Sequence, residues 1–231
     1  MFINGIDIST YGGKLVSFTA LPAQKDYIYE FLNRSSLVPA KVQESERKFK
    51  VITIELEIWA NTEQQFDVFS GKLTDEMTDC EMVMDDRNDV VYKGHLQNVP
   101  EVEMITTTSG KLTFEFYAIC EGIEKKHVFT DNITVQVEGD SKTPAILEIT
   151  SAITLQTLQI VGLTKEPIVV KNLEKGIPFI IDGEKCLVMQ GGENKFSYCD
   201  MWQFPTLSPG TAKISLSVSC SALLRYKPRY V

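Results

Sequence analysis

Apolar and polar residues alternate along much of this chain. In residues 51–59 (VITIELEIW), Ile52, Ile54, Leu56 and Ile58 fall on one side and Thr53, Glu55, Glu57 and Trp59 on the other. That is the pattern of a strand with one face buried. Residues 111–118 (KLTFEFYA) and 211–220 (TAKISLSVSC) repeat it. Strands with one wet face belong to antiparallel sheets. A helical period stands out once. Over residues 62–77, Phe66, Phe69, Leu73 and Met77 recur at spacings of three and four, giving a single apolar stripe. Asn61 is the expected N-cap, and Glu63 and Asp67 sit in the first turns, where the helix dipole favours acids. Gly71 weakens this helix by about 1 kcal/mol relative to alanine.

The alternation lapses over residues 121–132 (EGIEKKHVFTDN), where charges cluster before a new strand begins at Ile133. A boundary here divides the chain into domains 1–128 and 129–231. Downstream, Gly139, Pro144, Pro167, Gly183, Gly191-Gly192 and Pro209-Gly210 punctuate short apolar runs, the spacing of a β-sandwich or barrel. Residues 22–50 stand apart. Two β-prone runs flank the polar segment Asn33-Arg34-Ser35-Ser36, and the second, around 41–48, has too few apolar side chains to be buried in its own subunit. A solvent-exposed hairpin arm is one reading of this stretch.

Composition narrows the function. The 231 residues carry 23 basic and 31 acidic side chains, a net charge of −8, which argues against gripping phosphates. The 43% hydrophobic content suffices for a sizeable core. No stretch approaches the roughly 18 consecutive apolar residues of a membrane span, and the N-terminal residues lack the pattern of a secretory signal. Folding in a cytosol is the expectation. The five cysteines show no zinc-knuckle or redox spacing, and Cys120 and Cys220 continue apolar alternations, so they read as small core residues.

Candidate chemistry is sparse, and no enzyme activity, cofactor or metal is expected. Only His95 and His127 are present, so imidazole metal sites and Ser-His triads have few members. Ser109-Gly110-Lys111 lacks the upstream glycine and following hydroxyl of a phosphate loop. Asp85-Asp86-Arg87-Asn88-Asp89 lacks the glycine and closing glutamate of a calcium loop and reads as a hairpin turn. Glu55 and Glu57 share a strand face about 7 Å apart, a separation open to paired-carboxylate chemistry but common on wet faces. Phe196, Tyr198, Trp202 and Phe204 are open to two readings, a sugar-stacking platform or a structural corner before Pro209-Gly210.

Three motifs near the C-terminus occur in a fixed order: the strand end Ile181-Asp182-Gly183, the run Phe204-Pro205-Thr206-Leu207-Ser208-Pro209-Gly210, and the closing Leu224-Arg225-Tyr226-Lys227-Pro228-Arg229-Tyr230. With the opening Phe2-Ile3-Asn4-Gly5-Ile6-Asp7 and Tyr11-Gly12, this order resembles the distal tail proteins of long-tailed phages. The resemblance implies an all-β protein with one helix. Its first domain would be a small β-sandwich or split barrel bearing the helix, its second a galectin-like β-sandwich. It further implies a hexameric ring at the distal end of the virion's tail, assembled in the bacterial cytoplasm. The expected partners are the tail tube protein, a tail-tip hub or tail-associated lysin-type protein and a receptor-binding protein, with DNA passing through the ring without specific binding. Residues 22–50 would then clasp a neighbouring subunit through Tyr27, Tyr29, Phe31 and Leu37. The rival readings are a carbohydrate-binding module or a cell-surface β-sandwich adhesin without ring assembly and, more distantly, a glycosidase accessory enzyme.

Overall fold

The structure is a computed structural model. It describes the backbone of residues 1–22, 25–30, 40–46 and 49–231, and the side chains of 1–22 and 49–231. Among the described residues the chain is all-β with one α-helix, and it divides into two compact units, Met1–Glu121 with Val231, and Gly122–Tyr230.

The first unit is built on one antiparallel sheet. Its strands run in the order Ile6–Asp7, Phe2–Ile3, Asp79–Met84, Arg87–Leu96, Ser109–Gly122, Lys50–Trp59, Gly13–Leu21. The alternation in the sequence is what sets the register of the central pair. Leu112 lies opposite Leu56, Phe114 opposite Ile54 and Phe116 opposite Ile52. All six are fully buried, and a slip of one residue would turn the whole set out to water. The helix Glu63–Met77 buries Phe66, Leu73 and Met77, while Phe69 is half-buried. Its N-cap is Thr62, one residue beyond the expected Asn61. The Thr62 hydroxyl accepts from the Gln65 N–H, and the Gln65 side chain accepts from the Asn61 N–H at 2.9 Å, so both residues take part and the hydroxyl caps. Asp85 and Asp86 form the hairpin turn between Asp79–Met84 and Arg87–Leu96.

The second unit is a two-sheet sandwich. One sheet runs Lys125–Phe129, Ser221–Tyr226, Thr143–Thr150, Phe179–Asp182, Leu187–Gln190, Glu193–Asn194, and Thr206–Leu207 pairs with the start of Thr143–Thr150. The other runs Asn132–Val137, Gly210–Leu216, Leu155–Val161, Ile168–Leu173, Cys199–Asp200. Leu147, Ile149, Phe179, Ile181, Val188 and Leu224 of the first meet Val135, Leu158, Ile160, Ile168, Val170 and Ile214 of the second in one core. The C-terminal motifs gain a physical reason here. Asp182 closes its turn by accepting from the N–H groups of Glu184 and Lys185, both at 2.9 Å. Gly183 donates to the Ala145 carbonyl, and the Ala145 N–H donates to the Pro205 carbonyl, each at 3.0 Å. The Ile-Asp-Gly turn and the Phe-Pro corner are two sides of one backbone crossing.

All five cysteines are free, and only Cys186 is exposed. Burial pushes the Cys80 and Cys199 thiols up to about 12, with nearby carboxylates adding to the effect. At about pH 8 the buried thiols are therefore protonated and shielded, and the thiolate is the reactive species. A disulfide reagent should modify one thiol per native chain quickly and all five after denaturation. Fast modification of two or more native thiols would contradict this burial.

Candidate functional site

The sequence-selected chemical candidates resolve into structural roles. Glu55 lies opposite Ser17 on one side and Thr113 on the other. Its carboxylate accepts from Ser17 Oγ at 2.9 Å and pairs with Lys111 Nζ at 3.0 Å. The Lys111 bond first, then that of Ser17, holds the Glu55 carboxyl below the usual carboxylate range. A carboxylate held in its charged form suits a cross-strand ion pair, not a general acid, which needs a raised pKa. Gly110 of the apparent phosphate loop is a packing glycine, since a Cβ there would lie 3.0 Å from the Phe66 ring and 3.1 Å from the Glu103 carbonyl. His95 contacts Asp79 on the surface, and His127 stacks on Tyr226 at 6.0 Å. Among the described residues, no group of His, Cys, Asp and Glu is placed to hold a metal ion, and no helix is long and apolar enough to cross a membrane.

What the first unit does present is open strand edge. Glu101–Thr106 pairs with Ser109–Gly122 along one side, with a register shift at Ser109 and Gly110. All six of its residues are exposed, including Val102, Met104 and Ile105, and Val99 just before it is 87% exposed. Its other side has no strand partner among the described residues. At the opposite edge of the sheet, Gly13–Leu21 exposes Val16 and Leu21. Unpaired N–H and C=O groups flanked by apolar side chains are a template for another chain. Glu101–Thr106 was not singled out from the sequence: Glu101-Val102-Glu103-Met104 alternates, but the period breaks at Ile105, and so short a run between Pro100 and the Thr107-Thr108 turn is a weak signal.

The arm contains two strands, Lys25–Glu30 and Ala40–Glu46, which pair antiparallel as a two-stranded sheet of their own. Tyr27 stands opposite Glu44 and Tyr29 opposite Lys41, with a register shift between Ile28 and Tyr29. Of the four interface candidates, Tyr27 and Tyr29 thus fall on the first strand. Phe31 and Leu37 lie outside the described residues.

In the second unit the four aromatics divide between the two readings. Tyr198 and Phe204 are partly buried against the core, as the corner requires, and Pro205 is buried. Trp202 and Phe196 turn outward, 90% and 50% exposed. They border an open cleft of about 570 Å³.

This architecture, an all-β chain of two units with one helix in the first and a sandwich in the second, has counterparts among solved structures. The SPP1 Dit protein, described as a paradigm of the hub adsorption apparatus in phages infecting Gram-positive bacteria, shares it with a TM-score of 0.83. That match covers 99% of this chain and 98% of that one at 11% identity. The baseplate of phage p2 in its activated conformation contains a similar chain, in the calcium form (TM-score 0.52, 11% identity, 96% and 92% covered) and the strontium form (0.51, 12%, 96% and 92%). No known protein family and no curated protein matches the chain by sequence. The resemblance read from the motifs holds at the level of fold.

Proposed function

We propose that this chain is a structural, non-enzymatic distal tail protein of a phage. It forms a ring at the tail tip between the tube protein and the hub or tail-associated lysin-type protein. The observation that carries this reading is the fold likeness across both units, which extends over 99% of the chain. The open edges of the first unit support it. A head-to-tail ring needs two different complementary patches on each subunit, and Glu101–Thr106 and Gly13–Leu21 are two such edges of one sheet. Six subunits, a galectin-like second unit, contact with receptor-binding protein, a place in the virion after assembly in the host cytoplasm and passage of DNA through the ring complete the proposal from the motif resemblance. A net charge of −8 suits a ring that DNA slides through without sticking.

Mass photometry and negative-stain imaging of the purified protein test this. Six copies of a 26.0 kDa chain give an expected particle of about 156 kDa with closed symmetry and a central opening. A monomer at high micromolar concentration, with no rings in the images, would sink the proposal and favour the adhesin or carbohydrate-binding reading.

A further inference from the structure

The second unit carries a cleft that ring formation leaves without a role. Its wall includes Gln159, Glu166, Pro167, Phe196, Asp200 and Trp202, around a volume of about 570 Å³. That is within the roughly 300–1,000 Å³ of small-molecule sites. Among the described residues, Trp202 is the most exposed of the large hydrophobic side chains, at 90%. A tryptophan left this open needs a reason, because its ring loses more than most by staying in water.

The cleft is also held in place. Trp202 follows the strand Cys199–Asp200, whose register is fixed by Cys199 opposite Val170 and Asp200 opposite Val169. Lys171 Nζ pairs with Asp200 Oδ2 at 2.5 Å, and Cys199 is buried below. Phe196 leans on Phe204 with ring centroids 6.0 Å apart, and Phe204 packs on the core. The rim is polar. Gln159 and Glu166 are exposed, and the Glu166 carboxylate has no partner among the described residues.

We propose that this cleft binds a neutral saccharide, with the C–H face of one pyranose ring on the Trp202 indole. Hydroxyl groups donate to the Glu166 and Asp200 carboxylates, which accept only, and exchange hydrogen bonds with the Gln159 amide. The electropositive C–H face of a sugar complements the negative face of the indole. Charge selects the ligand further. Two carboxylates line the cleft, and the nearby cation Lys171 is engaged by Asp200. An anionic sugar or a phosphate polymer is therefore repelled. The exposed apolar surface of the cleft is a small patch centred on Trp202 and Phe196, with Pro167 beside them, whereas a stable protein contact buries about 800 Å² on each partner. The inference does not depend on ring assembly.

The chain has two tryptophans, so a Trp59→Phe background makes Trp202 the sole indole reporter. Titration of that protein with maltotriose, lactose, chitotriose and rhamnose should give a saturable fluorescence change with at least one sugar. Trigalacturonate should give none. By calorimetry on the natural chain, Trp202→Ala should weaken binding about tenfold or more, and Glu166→Gln less, with thermal unfolding unchanged in both. Silence from all four neutral sugars at about 20 mM, far above a millimolar Kd, would overturn the proposal. So would an affinity untouched by Trp202→Ala, or tighter binding of trigalacturonate. A Trp202 that ignores every sugar but is shielded in the assembled tail would mark a protein contact, and the proposal would fall.

Discussion

Gly183→Ala should destabilise the second unit by more than about 3 kcal/mol, near the top of what a single substitution does. A Cβ at this position would sit 2.3 Å from the Pro205 carbonyl oxygen and 2.7 Å from that of Ala145. Both obstacles are backbone, and the Gly183–Ala145 and Ala145–Pro205 hydrogen bonds hold them in place. No rotamer change can clear the space, so the Ile-Asp turn and the Phe-Pro corner must move apart. At about 4 °C per kcal/mol for a unit of this size, the expected fall in Tm is roughly 12 °C or more. Gly71→Ala is the matched control. It makes the same chemical change in a helix where the new methyl meets nothing within 4 Å, and should stabilise by up to about 1 kcal/mol. Calorimetry of the full chain reads both. A Gly183→Ala transition within a degree or two of the parent would show that the crossing is looser than its geometry implies.

Replacing the arm, residues 25–46, by a short Gly-Ser linker should leave a folded chain that no longer forms rings. Among the described residues, Lys25–Glu30 and Ala40–Glu46 pair only with each other, and a lone two-stranded ribbon is marginal in water. Docking on a neighbouring subunit would satisfy its outer edges and is the proposed source of its order. The particle mass should drop from about 156 kDa, the hexamer of a closed ring, to that of a single chain, with the thermal transition kept. The lysine pair Met104→Lys with Ile105→Lys separates the two candidate edges, since charges on an open strand block pairing. Rings that survive arm removal but not the lysine pair would place the interface at Glu101–Thr106 and make the arm a bystander.

How much of this was legible in the sequence depended on whether a segment has a dry side. The strand with Ile52, Ile54, Leu56 and Ile58 and the helix with Phe66, Leu73 and Met77 were readable because burial imposes a period, and all seven residues are buried. Glu101–Thr106 has no buried face to impose one, and its alternation stops after the four residues Glu101-Val102-Glu103-Met104, so its β character left only a short trace. The aromatics of residues 196–204 were ambiguous for another reason. Tyr198 and Phe204 pack inward while Phe196 and Trp202 point out, and residue type alone does not tell a core ring from an exposed one. The cap was misplaced by one residue because Asn61 and Thr62 are both good cap formers, and only the Thr62–Gln65 bond decides between them. The C-terminal motifs were recognisable as a pattern, but the reason for Gly183 lay in a strand almost forty residues upstream, at Ala145.

The Gly122 N–H donates to the Pro228 carbonyl at 2.8 Å, so the second unit begins and finishes at neighbouring points. A segment with this property is a cassette. A unit whose two ends lie together can be exchanged in one piece for an unrelated domain with similarly close ends. In the proposed role, such an exchange would keep the open strand edges of the first unit and replace the Trp202 face in a single genetic event.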